Sequence, residues 1–170
     1  MGNKSYIFIN LLVALLLGRC SNEIVISINE QTVYDPGGRL PVGKVADADL
    51  QGCVNLAIQQ QNINTAAELL VLSCANSEIG SLENISELAS LRFLDLGNNN
   101  ISNITPLEDL TALSGINLVN NQISDIGPLF NIPNLSSVNL LGNNNIDCDE
   151  LQALQERLGD NLTAPQICND

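Results

Sequence analysis

The chain is 170 residues long, contains no histidine or tryptophan, has only two Tyr and three Phe, and carries a formal charge of −13. Without histidine it lacks the side chain that most often serves as general base or metal ligand near neutral pH. Its excess of carboxylates repels phosphate backbones and anionic lipid, so nucleic acid is excluded as a partner, and neither a cofactor nor a metal is expected. The length leaves room for one domain plus a processed leader.

Residues 1–20 have the pattern of an export signal: Lys4, then an apolar run from Tyr6 to Leu17 broken by Asn10. That run is shorter than the ~20 residues a spanning helix needs. The stretch Leu17-Gly18-Arg19-Cys20-Ser21 resembles a bacterial lipobox, which implies lipidation of Cys20 and attachment to a membrane through that anchor alone. Arg19 departs from the pattern, whose residue there is normally Gly, Ala or Ser. Ordinary signal cleavage nearby and a misassigned start remain as alternatives. Removal of residues 1–19 takes away Lys4 and Arg19 and no acid, which moves the net charge from −13 to −15. An acidic surface of this kind favours a basic partner, or serves only to keep an exported protein in solution.

Residues 21–46 form a lead-in. Glu23 to Ile28 alternates as a strand does, and Tyr34-Asp35-Pro36-Gly37-Gly38 is a turn. An edge strand and a flexible tether are both consistent with it. Residues 47–65 are expected to be an N-terminal helical cap: Asp47 or Asp49 can cap the helix, and Leu50, Cys53, Val54, Ala57 and Ile58 fall on one face.

From residue 66 to 146 the chain repeats itself. Leu88, Leu91, Leu94, Leu96, Asn99, Ile101, Ile104, Pro106 and Leu107 recur 22 positions later as Leu110, Leu113, Ile116, Leu118, Asn121, Ile123, Ile126, Pro128 and Leu129. The same offset finds Leu69, Leu72, Cys74, Ser77, Ile79, Leu82 and Ile85 upstream and Leu135, Val138, Leu140 and Asn143 downstream, with Asn145 as a one-residue insertion before Ile146. A fixed period of this kind marks a stacked repeat, in which no single turn can bury its apolar face alone.

The pattern L-x-x-L-x-L-x-x-N-x-I resembles the leucine-rich repeat family over roughly Asp47 to Cys168. The 22-residue period and the I-x-x-I-x-P-L continuation are similar to its internalin and phosphatase-regulator class. The resemblance implies an α/β fold: a leucine-rich-repeat solenoid with a short parallel concave sheet, a 3₁₀ or extended convex side and helical caps at both ends. The residues agree with this. Leu94 and Leu96 alternate inward as strand residues do, and Pro106 and Pro128 oppose a long helix on the return. Asn99, Asn121 and Asn143 suit a buried turn where an amide can bond otherwise unpaired backbone groups. Ser77 stands in place of that Asn in the first turn, so a weaker ladder is expected there.

Residues 147–170 are expected to be a C-terminal cap, a helix with Leu151, Leu154 and Leu158 inward that stops at Gly159. In such a solenoid Cys74 and the Cys148 turn stand three strand spacings apart, about 14 Å, and a disulfide needs Cα atoms within ~7 Å. The remaining pairs are Cys53 with Cys74 and Cys148 with Cys168, one at each end, with Cys20 left over.

No nucleophile has a base beside it, and carboxylate pairs such as Asp147/Asp149 and Glu83/Glu87 fall on helix starts or surfaces. The expectation is therefore a non-enzymatic, monomeric, exported protein of the cell envelope that binds a protein partner through its concave face. The intracellular phosphatase-regulator role is disfavoured by the export signal and cysteines. By alternation the solvent-facing columns of the sheet are Val71, Phe93, Gly115 and Ser137; Ser73, Asp95, Asn117 and Asn139; and Ala75, Gly97, Val119 and Leu141. The candidate binding residues are Phe93, Asp95, Asn117, Asn139 and Ser73. A structural spacer with no dedicated ligand is the alternative.

Overall fold

The computed structural model describes residues 26–28, 31–34 and 45–168. Residues 1–20, expected to be an export signal with Cys20 as its lipidation site, the turn expected at 35–38 and the last two residues of the sequence lie outside the described residues. Two units are present, divided between Leu40 and Pro41. In the first, β1 (Ile26–Ile28) pairs antiparallel with β2 (Gln31–Tyr34).

In the second unit every repeat supplies one three-residue strand: β3 (Val71–Ser73), β4 (Phe93–Asp95), β5 (Gly115–Asn117) and β6 (Ser137–Asn139). The strands are parallel and paired at the repeat offset, so that Leu72, Leu94, Ile116 and Val138 lie side by side. These central residues are buried and face the core. The expected four-strand sheet is corrected to five, because Leu162–Thr163 forms β7 and pairs parallel with Val138 and Asn139 of β6.

The return side is built from short pieces. They are the 3₁₀ segments Ile85–Leu88 and Thr105–Asp109 and the one-turn helix α2 (Gly127–Phe130). Pro106 and Pro128 sit in the first turn of their segments, where the missing N–H of proline has no intrahelical partner to lose. Between sheet and return side the columns Leu69/Leu91/Leu113/Leu135, Ile79/Ile101/Ile123/Ile146 and Ile85/Leu107/Leu129 are buried throughout. Each such side chain contributes about 2 kcal/mol when removed from water.

Both ends of the stack meet a helix. At the first, α1 (Ala48–Gln61) turns Leu50, Val54 and Ile58 inward, and Asp47 caps it by accepting from the N–H groups of Asp49 and Leu50. The other oxygen of Asp47 accepts from Gly80 and Ser81 at 3.0 and 3.1 Å, which ties the helix start to the first return loop. Burial alone would raise the Asp47 carboxyl, but the N–H donors of Leu50, Gly80, Ser81 and Asp49 outweigh it and hold the pKa below the ordinary value. At the other end α3 (Cys148–Leu158) turns Leu151, Leu154 and Leu158 inward and stops at Gly159, whose φ of 56° suits a residue without a Cβ. The Arg157 guanidinium donates to the carbonyls of Leu129, Phe130 and Ile132, and Glu150 accepts from the N–H of Ile126.

The structure joins Cys53 to Cys74 and Cys148 to Cys168, with Cα atoms 5.8 and 5.6 Å apart. The first bridge ties α1 to the residue that follows β3. The second ties the start of α3 to the segment that follows β7.

Candidate binding face

Two polar columns run the length of the sheet, and they differ in what they bond. The buried one consists of Asn99, Asn121 and Asn143, at 7%, 7% and 1% exposure. Asn99 donates to the carbonyls of Cys74, Leu96 and Gly97 and accepts from the N–H groups of Ser77 and Ile79. Asn121 donates to Leu96, Leu118 and Val119 and accepts from Ile101; Asn143 donates to Leu118 and Leu140 and accepts from Ile123. Each amide therefore serves its own turn and the turn before it. In the first turn the Ser77 side chain makes a single bond, donating to the Ala75 carbonyl at 3.4 Å, and Asn99 of the second turn supplies the remaining ladder bonds there.

The second column faces solvent on the concave side. Ser73, Asp95, Asn117 and Asn139 stand in register, and Thr163 of β7 extends the row. Ser73 is exposed, while Asp95, Asn117 and Asn139 are half-buried. Asp95 accepts from Ser73 Oγ at 3.2 Å, Asn117 Nδ2 at 2.8 Å and the Gly97 N–H at 3.1 Å. Asn117 Oδ1 accepts from the Val119 N–H, and Asn139 Oδ1 from the Leu141 N–H. The column is thus a partly self-satisfied rail, not a row of free side chains.

Beside it runs a column that changes character along the solenoid: Val71, Phe93, Gly115, Ser137. Val71 and Phe93 are register neighbours and 52% and 53% exposed, and Leu70 just before β3 is 50% exposed. The Phe93 ring rests on Gly115, where a Cβ would approach Phe93 Cδ1 to 2.8 Å. The glycine makes room for the ring to lie along the sheet, and both Gly115 and Gly97, expected to face solvent, are buried by neighbouring side chains. Arg92 precedes Phe93, and with Asp95 it supplies the charge of this region. Glu78, Glu83, Glu87, Glu108, Asp109 and Asp125 all lie in the return segments between strands.

Leu70 was missed by sequence reasoning, although a signal existed: the positions one and more repeats later hold Arg92, Ser114 and Ser136, so an apolar residue there breaks a polar column. A further column, Asn76, Asn98, Asn120 and Gly142, was also missed. All four have positive φ, and Asn120 Nδ2 donates to Asn98 Oδ1 at 2.7 Å. Asn and Gly recurring at this offset is the composition such a left-handed backbone requires. Among the described residues no group of His, Cys, Asp or Glu is placed to hold a metal ion, and no helix is long and apolar enough to cross a membrane.

Comparison with known proteins agrees with this geometry. No curated protein sequence matches the chain. Among solved structures an internalin, InlF, from Listeria monocytogenes superposes with a TM-score of 0.58 at 26% identity, over 72% of this chain and 37% of its own. This chain thus spans little more than a third of that internalin's length. Internalin C2 (InlC2) of the same organism gives a TM-score of 0.40 at 22% identity, covering 59% and 62% of the two chains. The functional domain of InlJ, also from Listeria monocytogenes and including a cysteine ladder, gives 0.40 at 20% identity, covering 59% and 30%. The family described as Leucine Rich repeats (2 copies) matches residues 68–109 and 111–155, just over half of the chain. Parallel strands stacked at a 22-residue offset, an asparagine ladder beneath them and that match make the chain a member of the leucine-rich repeat family.

Proposed function

We propose that this protein is an exported, non-enzymatic binding module that takes a protein partner on its concave sheet, with Phe93, Val71 and Leu70 as the apolar anchor and Ser73, Asp95, Asn117 and Asn139 as the polar rail beside it. The observation that carries the reading is the exposure of two large apolar register neighbours, Val71 and Phe93, with Leu70 exposed just before β3, at one end of a sheet whose remaining outward positions, Leu141 and Val119 apart, are small or polar. Single exposed apolar residues are ordinary, whereas grouped ones mark contact surfaces, and aromatic residues are enriched there. The polar rail contributes hydrogen-bonding capacity left over from its own bonds, which fixes a partner's register more than its affinity.

The concave face carries little net charge, so contact is expected to be apolar and hydrogen-bonded. The overall charge, −13 for the full sequence and −15 without residues 1–19, acts at longer range, steering a basic partner toward the protein at low salt. Two disulfides support an oxidising location, in keeping with export and residence in the cell envelope or outside the cell. Lipidation at Cys20 supplies the only membrane attachment in this reading, and the protein acts as a monomer.

A spacer with no dedicated ligand is the second reading. The bonds among Ser73, Asp95 and Asn117 favour it, because side chains already paired with one another need no ligand to satisfy them. Affinity capture from envelope and host-cell extracts separates the two, with the oxidised protein immobilised beside a Val71→Thr/Phe93→Thr control. Threonine keeps the strand preference and removes the apolar surface. A species held by the first protein and lost by the control supports the binder; equal capture by both, or none, transfers the weight to the spacer.

A further inference from the structure

The two disulfides stand in different surroundings. Cys74 is 2% exposed and sits in the core, and its partner Cys53 is half-buried on α1. Cys148 and Cys168 are both exposed. Thiol–disulfide exchange requires the attacking thiolate to reach a sulfur, so access sets the order in which bridges open.

What each bridge holds also differs. The helix α3 has its own anchors: Leu151, Leu154 and Leu158 in the core, Glu150 on the Ile126 N–H, and Arg157 on three carbonyls. The segment from Leu162 to Cys168 has few. It contributes the two-residue strand β7, buries Leu162 and Pro165, and rests Ala164 and Ile167 partly on the core. Its Thr163 carbonyl accepts the N–H of Leu140 at 2.8 Å, the last rung of the sheet.

We infer that the Cys148–Cys168 bridge is a redox-sensitive clasp: a dithiol reductant opens it while Cys53–Cys74 stays closed, and opening releases β7 from β6 without unfolding the repeats. In the exchange one thiolate of the reductant attacks one sulfur of the bridge, and the other sulfur leaves as a thiolate. The reductant's second thiol then closes on the mixed disulfide. Two electrons pass from the dithiol to the bridge; Cys148 and Cys168 end as thiols and the reductant as a disulfide. Release exposes the outer edge of β6 (Ser137–Asn139), a row of backbone groups able to pair with another strand.

The test uses the full chain, oxidised, with Cys20 blocked by alkylation beforehand. Dithiothreitol is added in steps, new thiols are trapped with N-ethylmaleimide, and the labelled cysteines are mapped by mass spectrometry. Labelling of Cys148 and Cys168 about tenfold or more faster than that of Cys53 and Cys74 is expected. Hydrogen exchange on the selectively reduced protein should show faster exchange at the Leu140 amide, with the Leu96 and Leu118 amides unchanged. A Cys148→Ser/Cys168→Ser protein should give the same exchange pattern without reductant. Simultaneous opening of both bridges, earlier opening of Cys53–Cys74, or an unchanged Leu140 amide after selective reduction would each overturn the inference.

Discussion

The buried asparagine column and the concave polar column share one period and one residue chemistry, yet they do different work. Asn99, Asn121 and Asn143 bond backbone groups of two successive turns in a place water does not reach. Ser73, Asp95, Asn117 and Asn139 bond mainly one another and nearby turn N–H groups, half in water. A hydrogen bond replaced by water costs little, whereas a buried donor left without any partner costs its full desolvation. The buried column therefore belongs to folding, and the concave column remains available for other uses.

The sharpest way to break this contrast is Asn121→Ala. It removes four hydrogen bonds and leaves the buried N–H of Ile101 without its acceptor. A loss of about 3 kcal/mol is expected, read from the urea midpoint.

The next effect belongs to Asp47, where one carboxylate serves a helix cap and a loop at once. Asp47→Ala should cost about 1–2 kcal/mol at neutral pH. Because the folded-state pKa of Asp47 is lowered, its contribution is fully present above the unfolded value and is lost as pH falls through the folded one. Thermal melts of both proteins should accordingly differ most near neutrality and converge in strong acid. A gap that stays constant with pH would show that the carboxylate's charge contributes nothing.

Smaller effects should come from the concave column. Asn117→Ala gives up bonds to Asp95 and from Val119, both replaceable by water, for about 0.5–1 kcal/mol. Phe93→Thr should change stability least, by about 0.5 kcal/mol, and should show instead as loss of partner capture.

Most of the solenoid was legible because a 22-residue offset repeats the same columns, and seven apolar positions per turn leave one way to place a core. Position 162 carries no such signal. Leu162-Thr163 is too short to read as a strand and belongs to no repeat, so only the free edge of β6 explains why it pairs there. The face of Asp95 and Asn117 could be read from alternation, but their lateral bonds could not, since period two fixes direction and says nothing about neighbours across strands. Gly115 illustrates the same limit: its burial depends on where the Phe93 ring lies, a contact between residues 22 positions apart. The two bridges were readable because stacking distance leaves few partners for each cysteine.

The most direct test of the division between the columns is urea unfolding of Asn121→Ala beside Asn117→Ala, the same truncation four residues apart. The account predicts a large drop in midpoint for the first and a small one for the second, with unchanged slopes. Equal losses would mean that the concave column is built into the fold as deeply as the buried one, and its side chains would then need no partner to explain them.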